Sequence, residues 1–193
     1  MRAHFNPRKL IHALLFLCIF ITLTIASFYA ARAIEQSDVA RELVATFGYL
    51  GVLIVAIIAG LNALIPIPAA TFVPIFIAGG LSMPIIIATL VAGTVMADLV
   101  SFYLGRFSSD YVTKNYPGTY AHIVHMYENH SRWLPVFVFA YAAFVPFPNE
   151  AYLLPFGILG IPVRRFIVPV ILGNIVYQTL AVYGVQNVFL YFF

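Results

Sequence analysis

The sequence predicts an all-α integral membrane protein: an N-terminal transmembrane helix, then two inverted repeats, each a re-entrant helical hairpin followed by a transmembrane helix. Three observations carry this reading. The chain is 63% hydrophobic and 9% charged, with a mean hydropathy of +0.98, which leaves far too little polar surface for a soluble chain of this length. Two proline-broken apolar segments, Pro66-Ile67-Pro68 and Pro146-Phe147-Pro148, sit 80 positions apart. The chain around them repeats without a gap, pairing Ala63 with Ala143, Phe76 with Phe156, Gly80 with Gly160, Ile87 with Ile167, Gly93 with Gly173 and Tyr103 with Tyr183. Gly and Pro interruptions at corresponding places in two apolar halves point to a binding site at the interface of a transporter's repeats.

Residues 1–34 carry Arg2, Arg8 and Lys9 ahead of an apolar run over 10–31. That run exceeds the ~7–15 residues of a secretory h-region and reads as an uncleaved transmembrane helix. Cys18 lies within it as a small buried hydrophobe, and as the single cysteine it excludes an internal disulfide or a CxxC site. Residues 35–47 set Asp38, Arg41 and Glu42 against Val39, Leu43, Val44 and Phe47, the pattern of an interfacial helix.

Repeat 1 spans 48–105. Residues 48–65 enter, Pro66 and Pro68 turn the chain, 69–81 leave, and 85–104 form a full-length helix. At ~1.5 Å per residue the outgoing arm covers about 20 Å, short of a hydrocarbon core of about 30 Å, so it turns back rather than crossing. Repeat 2, over 133–185, follows the same plan: 133–145 enter, Pro146 and Pro148 turn, 149–160 leave, and 166–184 cross. Residues 186–193 are a C-terminal tail.

Between the repeats, residues 106–132 read as a cytoplasmic amphipathic loop. Tyr120, Ile123, Val124 and Tyr127 form a helical stripe after Pro117 and Gly118, with His122, His125 and His130 largely on the polar side. Histidines at this spacing without a further defined ligand are a weak metal pattern, and no metal is expected.

The charges agree with this topology. With a cytoplasmic amino terminus, eight of the ten Lys and Arg residues fall on the cytoplasmic side and only Arg32 and Arg41 outside. The two hairpins then enter from opposite faces, and their tips meet near mid-membrane.

Backbone at such tips is non-helical and survives only when buried in protein or lining a wet cavity. The outgoing arms start their helices there, so unpaired N–H groups are expected to face the centre, where they attract anions such as phosphate. Asp98 and Glu150 are the two ionisable residues well inside membrane segments, and intramembrane carboxylates are functional candidates. At Glu150 the start of a helix and desolvation pull in opposite directions, which suits a residue that takes up a proton when an anionic head group binds. Asp98 is read either as a coupling residue or as a packing residue bonded to Asn62, Asn174 or Gln178. Its repeat counterpart is Gln178. Arg106, at the water interface, and Asn149, at the second tip, are the candidate head-group contacts; their bland alternatives are snorkelling and capping of the local turn.

No GxSxG, HExxH, Walker A or dinucleotide-binding pattern occurs, so no enzyme activity and no cofactor is expected, and the small net charge of +3 points to the inner membrane surface rather than to nucleic acid. The residues over 65–106, with the Pro66-Ile67-Pro68 turn, the arm ending in Gly79 and Gly80, and then Gly93, Asp98, Tyr103, Gly105 and Arg106, resemble the DedA family of the VTT, or SNARE-associated Golgi protein, superfamily. Pro146-Phe147-Pro148-Asn149-Glu150, followed by Gly157, Gly160, Phe166 and Gly173, resembles that superfamily's other half. The resemblance implies opposed re-entrant hairpins and movement of undecaprenyl phosphate or phospholipid. It also marks departures: Ala69 and Ala70 stand where DedA proteins carry an acidic residue, and Ala143 and Asn149 where they carry arginines. The expectation is a flippase or scramblase, proton-coupled or uncoupled, for a phospholipid or polyprenyl phosphate in a bacterial or archaeal cell membrane. A non-transporting scaffold that organises lipid or partners and a small-ion or solute transporter are the alternatives.

Overall fold

The computed structural model describes residues 7–61, 68–145 and 148–192, and among them every regular element is helical. The order is α1 (Pro7–Glu35), α2 (Asp38–Gly60), a 3₁₀ turn (Ala69–Phe72) leading into α3 (Val73–Ala78), α4 (Met83–Phe107), α5 (Ser109–Asn115), α6 (Pro117–His130), α7 (Leu134–Phe144), α8 (Glu150–Ile158) and α9 (Ile167–Phe192). Three helices, Asp38–Gly60, Met83–Phe107 and Ile167–Tyr191, are long and apolar enough to cross a membrane.

The starts and stops follow local chemistry. Ser37 caps α2 by accepting a hydrogen bond from the Ala40 N–H at 3.4 Å. Pro74, Pro84 and Pro135 stand in the first turns of α3, α4 and α7, where the missing N–H has no helical partner to lose. Gly80 and Gly160 end α3 and α8 with φ of 87° and 66°, a region that glycine enters without strain. Their turns match bond for bond: Leu81 N–H donates to Phe76 C=O at 3.1 Å, and Ile161 N–H to Phe156 C=O at 3.0 Å.

Two boundaries and the burial of one residue differ from the sequence reading. No separate interfacial helix covers 35–47: from the Ser37 cap the chain runs as one helix through Gly60, because nothing after Phe47 interrupts it. In the expected tail at 186–193, the described residues 186–192 are instead the last turns of α9, which Phe189 anchors by packing on Phe28 at a ring distance of 5.2 Å, beside buried Ala31. Cys18 is exposed on α1 rather than buried. The helix expected after Gly118 is present as α6, with Tyr120, Ile123, Val124 and Tyr127 half-buried and His122 and His125 exposed.

Two helical units share one packing scheme. A Cβ built on Gly93 would stand 2.4 Å from Ala56 Cβ and 3.0 Å from Leu53 O; one on Gly173 would stand 2.6 Å from Ala142 Cβ and 3.0 Å from Phe139 O. Thus α4 lies against α2 as α9 lies against α7. Ala56 and Ala142 are 86 positions apart, not 80, so the gapless repeat holds from the tips onward but slips by six residues in the incoming arm.

The cores repeat as well. One gathers Val73, Phe76, Leu81, Ile86, Leu90 and Val182; the other gathers Leu153, Phe156, Ile161, Phe166, Val170 and Phe102. Each position lies 80 from its counterpart, and Phe102 and Val182 have changed sides: the end of α4 fills the second core, the end of α9 the first. Helix α8 accordingly packs on α4, and α3 on α9.

The glycine contacts give a direct test. At Gly157 a Cβ would meet Phe102 O at 2.0 Å and Arg106 N at 2.7 Å, both backbone atoms that cannot step aside. Gly157→Ala is expected to lower stability by about 1–3 kcal/mol as overpacking does, read as a fall in melting temperature in detergent. Gly118→Ala, which meets nothing within 4 Å, should leave the melting temperature level or slightly raised.

Candidate functional site

Both units bring a residue beside their break, Gly60 in one and Asn149 in the other, to the middle of α4. The last residue of α2, Gly60, packs so tightly there that a Cβ on it would touch Ala97 Cβ at 2.6 Å and approach Thr94 Cα at 3.4 Å. From the other unit, Asn149 Nδ2 donates to Asp98 Oδ2 at 3.0 Å. Asn174 on α9 donates from Nδ2 to the same oxygen at 3.0 Å, and to Val170 C=O at 3.1 Å. One turn back along α4, Thr94 Oγ1 donates to Leu90 C=O and accepts from Gln178 Nε2 at 3.5 Å.

These contacts form a two-fold pattern. Thr94 and Asn174 are repeat counterparts, as are Asp98 and Gln178. The pair Asp98–Asn174 is therefore the image of the pair Thr94–Gln178, as in a self-complementary interface where residue i meets j and j meets i. Asp98, Glu150, Asn174 and Gln178 are all buried, and Asp98 and Glu150 lie within each other's electrostatic reach.

Of the sequence candidates, Asp98, Asn149 and Glu150 come together here. Asn149 does not cap its own helix; its amide is spent on Asp98. Arg106 stays away, exposed in the last turn of α4 eight residues beyond Asp98, roughly 12 Å along the axis. Pro66, Pro146 and Asn62 lie outside the described residues. Pro68 and Pro148 are placed alike: the Pro68 C=O accepts from Thr71 N–H at 3.0 Å, and the Pro148 C=O from Ala151 N–H at 3.2 Å.

The expectation of unpaired N–H groups at the second tip is corrected. Ala151 N–H bonds Pro148 C=O, while Tyr152 and Leu153 N–H bond Asn149 C=O at 3.2 and 3.0 Å. The turn before α8 folds two carbonyls back onto its own donors, which removes most of the anion-binding capacity of a helix start.

Three buried groups went unnoticed in the sequence. Ser27 Oγ on α1 donates to Thr71 C=O at 2.7 Å, fastening α1 to the first break. Thr71 Oγ1 and the Tyr152 hydroxyl are buried with no hydrogen-bond partner. The Tyr152 ring stacks edge-on against Tyr141, 5.0 Å away, and Tyr141 OH reaches Pro148 C=O at 3.5 Å. Single hydroxyls on apolar helices of an aromatic-rich chain carry no pattern that would have marked them.

A multi-pass helical membrane protein with a carboxylate and amide junction, buried where two broken helical units meet, is the class these observations define. A family model for the VTT domain matches residues 67–187, well over half of the chain, and the chain belongs to the VTT domain family. No curated protein and no solved structure matches it.

Asp98→Ala would remove the acceptor shared by the buried Asn174 amide and the half-buried Asn149 amide. Stability is expected to fall by about 1–3 kcal/mol, and a double-mutant cycle with Asn149→Ala to return a coupling of about 0.6–1.7 kcal/mol, the range for interhelical hydrogen bonds in membranes. Unfolding in mixed micelles measures both; strict additivity would mean that the Asn149 bond does not form.

Proposed function

We propose that this protein is a lipid transporter, a flippase or scramblase that moves the head group of a phosphate-bearing lipid across the bilayer with a proton exchanged at Glu150 or Asp98. One observation carries the reading: two carboxylates and two amides are buried halfway along α4, where both helix breaks end. Polar groups at membrane depth are costly, and they persist where they face a partner or an interior path.

On this reading the units are inverted copies and their hairpins are re-entrant. Asp98 is the sixteenth of the 25 residues of α4, a helix of about 37 Å, which puts both breaks near mid-membrane. The first hairpin comes back to the start of α4, with Ser82 N–H bonded to Tyr49 OH at 3.1 Å. The second comes back to the end of α4, with Ser109 Oγ bonded to Ile158 C=O at 2.7 Å. Hairpins opening to opposite ends of one spanning helix support opposite entry, and the exchange of Phe102 and Val182 between the cores supports inversion.

Arg106, Lys114, Arg132, Arg164 and Arg165 are exposed and gather at the end of α4, in the segment that follows it and in the turn before α9. That end is assigned to the cytoplasm, with the amino terminus on the same side, in a bacterial or archaeal cell membrane. Alternating exposure of the junction through one hairpin and then the other would carry a head group past α4.

The test is translocation of tail-labelled lipids in proteoliposomes, with and without a pH gradient. Native protein should accelerate head-group movement, and Glu150→Gln should slow it about tenfold, a barrier increase of about 1.4 kcal/mol, and abolish its response to the gradient. Folded protein that moves no lipid would pass the assignment to a membrane scaffold, or to small-ion transport if it carries current instead.

A further inference from the structure

The two ends of α4 carry unlike charge. Around its start, where the first turns of α2 also lie, Arg32 and Arg41 are outnumbered by Glu35, Asp38 and Glu42. Around its end, Arg106, Lys114, Arg132, Arg164 and Arg165 outnumber two acids, Asp110 and Glu128, and all five cations are exposed. Arg165 gives one of its five N–H donors to Tyr127 OH at 2.7 Å. Among the described residues the other four pair with no carboxylate. The fold leaves this positive charge for something outside itself.

The segments that carry it are held together. The Arg165–Tyr127 bond ties the turn Val163–Arg165 to α6, and Ser109 Oγ ties the start of α5 to Ile158 C=O at the end of α8, at 2.7 Å. Large rings lie among the cations. Phe107 is 84% exposed, and Tyr111, Tyr116 and Trp133 are exposed as well. Phe107, Tyr111 and Lys114 recur at helical spacing across the join of α4 and α5, where Ser108 N–H still donates to Leu104 C=O at 3.0 Å and Val112 N–H to Ser108 C=O at 2.9 Å. The Tyr116 ring sits 6.1 Å from that of Tyr111.

Depth selects the occupant. Helix α4, about 37 Å long, outreaches a hydrocarbon core of about 30 Å, so α5 begins in the head-group layer, where amphipathic rings settle. A basic, aromatic surface at that level meets lipid head groups before any soluble protein.

We propose that α5 and the turns Ser131–Trp133 and Val163–Arg165 form one docking surface for anionic phospholipid of the leaflet, with the rings among the head groups and the arginines on their phosphates. The guanidinium fork matches a phosphate. Net charge then makes the selection, because phosphatidylcholine carries a compensating cation and phosphatidylglycerol does not. These lipids stay in their leaflet, away from the junction around Asp98, and the surface stands whether the chain moves lipid, ions or nothing.

Trp133 is the one tryptophan of the chain and reports from within the surface. The native protein is reconstituted in phosphatidylcholine vesicles with increasing fractions of lipid brominated high on its acyl chains, either phosphatidylglycerol or phosphatidylcholine. Half-quenching of Trp133 is expected at a mole fraction at least about fivefold lower for phosphatidylglycerol, the factor that one basic side chain near an anionic surface supplies. Salt of about 1 M, where charges are screened within about 3 Å, should bring the two lipids level, as should Arg132→Gln with Arg164→Gln. Equal half-quenching in the native chain at low salt overturns the proposal, as does a preference that survives the double substitution. Orientation is read in a Trp133→Phe background: Tyr111→Trp is expected to be quenched by the brominated lipids and His122→Trp, on the polar side of α6, to be spared. The reverse pattern, or equal quenching of both, also overturns it, and the native-chain comparison decides the matter if those variants do not fold.

Discussion

A single carboxylate oxygen, Asp98 Oδ2, holds the start of α8 and the first third of α9 to the middle of α4. The need for such a tie comes from the solvent. A broken helix in a bilayer exposes backbone and side-chain dipoles that lipid cannot satisfy, so the described residues beside each break, Gly60 and Asn149, are driven inward onto the middle of α4. Where they meet, polar groups must satisfy each other within a few ångströms, and amide-to-carboxylate bonds do this with the least charge. The rest of the architecture places α4, α8 and α9 closely enough for those bonds to form.

Close approach is achieved with small residues. Hydrophobic burial gives helices in lipid little reason to associate, and contact depends on backbones that can nearly touch. Gly93 against Ala56, Gly173 against Ala142 and Gly157 against the backbone of Phe102 are such contacts. Because each spanning helix serves its own unit with one half and the other unit with its far end, neither core closes without both helices. The pairs Asp98–Asn174 and Thr94–Gln178 then fall where the two helices cross, and two departures from perfect symmetry, acid for amide at 98 and 178 and hydroxyl for amide at 94 and 174, make the halves chemically unequal.

Much of this was legible in the residues, and the parts that were not have identifiable causes. The turns at Gly80 and Gly160 were readable because a left-handed residue after a short helix calls for glycine, and α6 because its stripe is helical. The register of α2 was not. Apolar arms match at many offsets, and the six-residue slip is set by where Ala56 lets Gly93 come close. The continuity of α2 past Phe47 and of α9 past Gly184 depends on packing against Leu81 and Phe28, distant in sequence. Asn174 was visible as one of three possible partners of Asp98, whereas Asn149 looked like a cap or a ligand contact, since nothing local says that its side chain points back across the fold. The helix start at Glu150 looked rich in free donors because the carbonyls that consume them belong to a turn whose shape no residue pattern specifies.

The same asymmetry divides labour between the units. At the first break the residues after the turn are Ala69 and Ala70, both buried, and α1 closes over them through Ser27 on Thr71 and through Phe28 and Ala31 around α3. At the equivalent positions of the second break stand Asn149 and Glu150, and the helix that follows packs chiefly on α4 and shares its core with Val138 of α7 and Val170 of α9. Polar chemistry therefore lies in one unit, and apolar packing and the extra helix in the other. On the transport reading proposed above, the side that holds position is the first arm, fixed by α1, and the side that yields is the second arm on α4.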